Sequence, residues 1–135
     1  MITALDSSVI IDVLIDNTKW KDPSLRALKQ ARAEGQLIVS SFVLAEITPV
    51  VGQNNMPGFL KDWDLDHVGG TLQVALDAGR AFSQYLQRGG KGVRVIADFL
   101  IGAHARHHAD RLLTRDAGFI RDYFKKDKIW LVQGA

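Results

Sequence analysis

Short apolar runs, each ending on an acid or a hydroxyl and each handing over to a segment with helical spacing, recur along this chain and restrict its architecture. Ile2–Leu5 is followed by Asp6-Ser7-Ser8, after which Val9, Ile10, Val13 and Leu14 recur at helical intervals. Asp22-Pro23 supplies a cap and a first-turn proline for a helix through Leu25, Leu28 and Ala31 that stops at Gly35. Leu37-Ile38-Val39 reads as a second strand, and Ser40-Ser41 opens a helix through Phe42, Val43, Leu44 and Ile47 that Pro49 and Gly52 should kink or end. Residues 52–70 read as irregular, apart from one packed turn at Phe59, Leu60 and Trp63. Thr71 caps a helix whose Leu72, Ala75, Leu76, Gly79, Phe82 and Leu86 share one face. A flexible, basic, glycine-rich loop at 88–94 and a helix from about Asp98 to Ala109 come next. A strand Arg111–Thr114, a turn and short helix through Phe119 and Tyr123, and a strand Ile129–Val132 complete the series. This alternation predicts an α/β fold: a mostly parallel central sheet flanked by helices on both faces, with its site at the carboxyl ends of the strands.

The 135 residues suffice for one hydrophobic core and are too few for two, which predicts a single domain over 1–135. With 47% apolar and 24% charged residues, disordered, collagen-like and coiled-coil classes drop out. The absence of cysteine excludes disulfides, iron–sulfur clusters and thiolate zinc sites, and fits a reducing cytoplasm. The apolar first fifteen residues carry Asp6 and Asp12 but no Lys or Arg, the wrong charge pattern for a signal peptide. The longest uncharged run, Ile47 to Leu60, has 14 residues and two prolines, short of the roughly 18 of a membrane span. No membrane segment is expected. Charge is segregated, net −3 over 1–66 and +5 over 67–135, as polyanion binders often show.

Four acids fall at strand ends or helix starts: Asp6, Glu46, Asp98 and Asp116. Singly, each has a structural reading: Asp6 and Asp98 as N-caps, Asp116 as a turn former, Glu46 as a solvated helix residue. Glu46, however, has Phe42, Val43, Pro49 and Val50 as its helical neighbours, and a carboxylate set into an apolar face is costly unless something pairs with it. Asp98 is followed one turn later by Gly102, and a glycine inside a helix costs about 1 kcal/mol unless something must approach closely. No Lys or Arg is evidently assigned to neutralise these acids. A hard divalent cation, Mg²⁺ or Mn²⁺, would do so through oxygen ligands.

The segments Ala4-Leu5-Asp6-Ser7-Ser8-Val9-Ile10-Ile11-Asp12, Ser40-Ser41-Phe42-Val43-Leu44-Ala45-Glu46, Ala97-Asp98-Phe99-Leu100-Ile101-Gly102-Ala103-His104-Ala105 and Leu112-Leu113-Thr114-Arg115-Asp116-Ala117-Gly118-Phe119 resemble the four signature segments of PIN-domain ribonucleases, in order and spacing, across nearly the whole chain. The nearest subgroup is the VapC-type toxins of toxin–antitoxin pairs. The resemblance implies that Asp6, Glu46, Asp98 and Asp116 are catalytic, metal-binding acids, and that Thr114 and, more weakly, Ser8 orient a metal-bound water. It also implies an Mg²⁺- or Mn²⁺-dependent endoribonuclease, homodimeric and silenced by a cognate antitoxin protein that covers the site. Many members carry a polar residue just before the third acid, where this chain has Ala97.

An acidic site that receives RNA needs compensating basic charge nearby, and Arg88, Lys91 and Arg94 are the candidates for contacting phosphates. Other signals point to structure. His104, His107 and His108 have zinc-compatible spacing but no zincin glutamate, and are expected on an exposed or partly packed helix face. Gly-Gly-Lys-Gly at 89–92 lacks the remainder of a phosphate-binding loop, and Trp20, Trp63 and Trp130 are expected in the core. A phosphoacceptor or phosphatase would need a second acid beside Asp6, where Ser7 and Ser8 stand. The alternative is a PIN-like RNA-binding or protein-interaction module without catalysis.

Overall fold

The computed structural model describes residues 1–91, 95–116, 118, 123–124 and 128–134. Strand β1 (Ile2–Leu5) lies at the centre of a five-stranded sheet. On one side stand β2 (Gln36–Val39) and β3 (Leu65–His67), on the other β4 (Arg111–Thr114) and β5 (Ile129–Leu131), and every pairing is parallel. Ala4 pairs with Ile38 on one side and Leu112 on the other. Ala4, Leu5, Leu37, Ile38, Val39, Leu112 and Leu113 are all buried, as strands covered on both faces require.

Among the described residues, six helices connect these strands: α1 (Ser7–Leu14), α2 (Lys21–Glu34), α3 (Ser41–Val51), α4 (Met56–Asp62), α5 (Leu72–Gln87) and α6 (Ile96–His108). The chain walks outward from β1 to β3, and α5 and α6 then carry it back past β1 to β4. Right-handed crossovers walking in opposite directions place their helices on opposite faces of a sheet. The reversal falls between β1 and β4, the kind of point at which open α/β sheets bind ligands at the carboxyl ends of their strands.

Local chemistry explains most boundaries. Ser40 Oγ accepts the Val43 N–H and Thr71 Oγ1 the Val74 N–H, both at 3.3 Å, so the two expected N-caps form. Gly52, at φ 89°, ends α3, while exposed Pro49 is carried inside it. Helix α2 starts at Lys21, which leaves Pro23 in its first turn as expected but puts Asp22 there too, rather than at the cap. Residues 52–70 are more regular than expected: they hold a 3-10 turn (Gln53–Asn55), α4 and β3. The last strand ends at Leu131, and the short helix expected through Phe119 and Tyr123 falls largely outside the described residues.

Helix α5 corrects the expected core face. Leu72, Leu76 and Leu86 are 71%, 56% and 47% exposed, whereas Val74, Asp77, Ala78 and Ala81 face inward. The small residues let α5 lie close to α6, and Asp77 meets Arg106 and His107 of α6 at 3.5 and 3.1 Å. A second apolar cluster forms there around Phe99, whose ring packs with those of Phe82, Tyr85 and Tyr123.

Candidate active site

The carboxyl ends of β1 and β4 are joined by hydroxyl contacts to Asp6. The Asp6 N–H donates to the Leu113 carbonyl at 2.9 Å, holding the end of β1 against β4. Asp6 occupies the N-cap position of α1, yet its side chain makes no capping bond. Its Oδ2 instead accepts from Ser8 Oγ and Thr114 Oγ1, both at 2.7 Å. Thr114 is wholly buried, and its Oγ1 also accepts the Asp116 N–H at 3.1 Å. Asp6 Oδ2 is the nearest acceptor to both hydroxyls, while Thr114 Oγ1 also lies 3.1 Å from the Asp116 carbonyl oxygen.

Glu46 approaches this end of the sheet from α3, where Ser7 Oγ donates to its Oε1 at 3.0 Å. Burial of the carboxyl raises its pKa, the Ser7 hydrogen bond lowers it, and the Asp6 charge raises it. The apolar surround expected for Glu46 is only half enclosed: Val43 is buried, but Phe42 and Val50 lie at the surface and the Glu46 stem is exposed. Asp98 stands in the first turn of α6, with Val95 rather than Asp98 at the cap position. Its carboxyl is pushed up to about 6, first by burial and then by the charges of Asp6, Glu46 and Asp116. All four acids therefore share one field, although Asp116 itself is exposed. Gly102 answers the question its position raises: a Cβ there would stand 2.7 Å from the Phe124 ring, so a side chain and not a ligand occupies the space.

Among the described residues, no ion pair reaches any of the four acids. The donor set is all oxygen, which suits Mg²⁺ or Mn²⁺. As the side chains stand, no three acidic or imidazole groups among the described residues are close enough to hold one ion. The donor chemistry fits the metal, and the acids share a field without sharing a coordination sphere.

The basic segment is partly packed rather than a wholly flexible loop. The Arg88 guanidinium lies 5.2 Å from the Tyr123 ring centroid and the Lys91 carbonyl accepts the Tyr85 O–H at 3.0 Å. It leads into α6, so Arg88 and Lys91 stand at the Asp98 end of that helix, while Arg94 falls outside the described residues. The three histidines do not form one group, although the His104 and His108 ring centroids lie 5.0 Å apart. His104 is buried, contrary to the expected exposed or partly packed face; its Nε2 lies 2.7 Å from the Val68 carbonyl oxygen, and burial lowers its pKa. His107 turns to Asp77. The three tryptophans pack, half-buried, against the main core. Sequence reasoning missed Ser7, Asp12 and Arg115, although Asp12, flanked by Ile10, Ile11, Val13 and Leu14, carried the same signal as Glu46.

With that geometry in place, the sequence matches the PIN-domain family over residues 3–125. The chain belongs to the PIN-domain family. No curated protein matches it in sequence. In fold, this PIN domain is similar to a chain of VapBC2 from Rickettsia felis bound to a promoter DNA fragment, at 21% identity and TM-score 0.70, covering 91% of this chain and 93% of that one. DNA-bound VapBC from Salmonella typhimurium gives 14% and 0.71, covering 98% and 99%. A toxin–antitoxin complex from Klebsiella pneumoniae gives 16% and 0.66, also covering 98% and 99%. Among the described residues, no helix of this PIN domain is long and apolar enough to cross a membrane.

Proposed function

We propose that this PIN domain is a metal-dependent endoribonuclease, the toxin member of a toxin–antitoxin pair. The observation that carries the reading is the field that Asp6, Glu46 and Asp116 exert on Asp98, with no cation among the described residues paired to any of the four. Bound by these acids, Mg²⁺ or Mn²⁺ supplies an activated water and charge neutralisation for hydrolysis of an RNA phosphodiester. Ser8 and Thr114 hold Asp6 through a single oxygen, Oδ2, which leaves Oδ1 without a hydrogen bond among the described residues and available as a ligand. Thr114 also fixes the backbone of Asp116, and Ser7 steadies Glu46. Arg88, Lys91 and Arg94 draw the phosphate backbone toward the acids without specifying its sequence.

The fold likeness to chains of VapBC and toxin–antitoxin complexes supports a cognate antitoxin protein as partner. A cytoplasmic setting suits such a pair. The exposed stripe Leu72, Leu76 and Leu86 supports a homodimer, and Leu76→Glu should convert it to monomer by light scattering without unfolding it. One observation favours the alternative of a silent RNA- or protein-binding PIN fold, namely the open spacing of the acids. Cleavage of labelled RNA decides between them. Activity should require Mg²⁺ or Mn²⁺ and vanish in EDTA, and Asp6→Asn should fall by on the order of a hundredfold or more while remaining folded. Full activity in chelator, or no calorimetric metal binding by wild type, rejects the nuclease reading.

A further inference from the structure

Asp12 is wholly buried in α1, and its Oδ2 accepts two side-chain hydrogen bonds. One comes from Ser24 Oγ of α2 at 2.9 Å, the other from Arg115 Nε at 2.7 Å. Its Oδ1 is also buried and has no hydrogen-bond partner among the described residues. Arg115 is the residue between Thr114 and Asp116, beyond the last hydrogen-bonded position of β4. Its guanidinium, 5.4 Å from the Trp20 ring centroid, ion-pairs with Asp12, and its backbone N–H donates to Ser8 Oγ at 3.1 Å. Ser8 and Asp12 are one turn apart on α1, so the backbone and the side chain of Arg115 grip one face of that helix. Ser8 Oγ is also the donor to Asp6 Oδ2.

We infer that Asp12 and Arg115 form a clamp whose task is to position Asp116 and Thr114 against Asp6, which makes both of them positioning residues for the acidic site. The inference rests on the metal-nuclease reading for its consequence but not for its geometry. Past Thr114 the strand ladder no longer fixes the chain. The Thr114 hydroxyl and this clamp are what orient the Asp116 backbone among the described contacts. A buried ion pair is a poor source of net stability but a strong constraint on geometry, since its partners tolerate few arrangements.

Asp12→Asn tests the clamp, because it keeps the size and the Ser24 bond while removing the charge that holds Arg115. Ser24→Ala is the control: it strips Asp12 of its other partner without touching the β4 end. In metal-free protein, amide exchange at Arg115 and Asp116, read by NMR, should rise about tenfold in Asp12→Asn and stay at the wild-type rate in Ser24→Ala. Mn²⁺ affinity by calorimetry should weaken by about 10–100-fold in Asp12→Asn only, the range for residues that orient metal ligands. Its kcat for RNA should fall with KM unchanged. Arg115→Lys, which keeps the charge but loses the planar fork, should be intermediate, and carries the same measurements if Asp12→Asn does not fold. Unchanged exchange in Asp12→Asn, or equal loosening in Ser24→Ala, overturns the clamp. A wild type that neither binds Mn²⁺ nor cleaves RNA rejects the nuclease reading instead, and the exchange rates still decide the clamp.

Discussion

Asp77 and Asp98 stand on two helices packed against each other, both withdrawn from water, and their surroundings are opposite in sign. Around Asp77 are Arg80 and Arg106 at 3.5 Å and His107 at 3.1 Å. Around Asp98 are three more carboxylates, and its own is pushed up to about 6 by burial and by their charges. Withdrawing a carboxylate from water is unfavourable in both places. At Asp77 the chain offsets it with cations from α5 and α6, and the product is a contact that joins the helices. At Asp98 the chain adds further negative charge, and among the described residues no cation is paired with it. What separates the two acids here is the sign of their neighbours, since burial is common to both.

The strongest way to break this comparison is cleavage itself. Asp98→Asn should lower kcat/KM for RNA by on the order of a hundredfold or more, and Asp77→Asn should stay within about twofold of wild type. Equal losses would erase the distinction. Metal-free stability should move the other way. Asp77→Ala should lose about 1–2 kcal/mol in urea titration, below the cost of an orphaned buried charge, because Arg80 and Arg106 remain largely exposed. Asp98→Asn should gain about 1 kcal/mol in EDTA, and added Mn²⁺ should stabilise it less than wild type. A destabilised metal-free Asp98→Asn would show that the repulsion is already relieved within the chain.

The pH dependence sharpens the same point. Between the ordinary aspartate value near 4 and about 6, folded Asp98 binds more protons than unfolded Asp98. Its contribution to stability therefore declines as pH rises through that window and is fully unfavourable above it. His104, held below its usual value by burial, acts in the opposite direction as pH falls through the unfolded histidine value near 6.5. The difference between wild type and Asp98→Asn, followed from pH 4 to 8, isolates Asp98. A constant difference would reject its raised value. The smallest expected effect belongs to the basic segment: Arg88→Ala, Lys91→Ala and Arg94→Ala should each flatten the slope of log K against log salt for single-stranded RNA by about 0.7. An unchanged slope in the triple variant would make the segment an ordinary solvated surface.

Local spacing was enough to read β1, β2, β4, the helices that follow β1 and β2, and the strand-end positions of Asp6 and Asp116, because each is written within a few residues. The family resemblance added the grouping of the four acids, which is consistent with the shared field at Asp98. Strand β3 was not legible: it has three residues at the sheet edge, and only Leu65 is buried, so no alternation marks it. Helix α4 was hidden by Pro57 and Gly58, which read as turn residues although proline fits a first helical turn. The buried face of α5 was misread because Leu72, Leu76 and Leu86 carry the stronger apolar period. The inward face instead follows the close approach of Val74, Ala78 and Ala81 to α6 and the Arg106 and His107 side chains that Asp77 meets there. The proton affinity of Asp98 and the pairing of Asp12 with Arg115 lie further from reach, since they depend on distances between groups drawn from separate helices and strand ends. Periodicity and capping are properties of neighbours along the chain, so the sequence determines the elements and the ends at which acids stand. Charge states and ion pairs are properties of neighbours in space, and only the tertiary structure decides them.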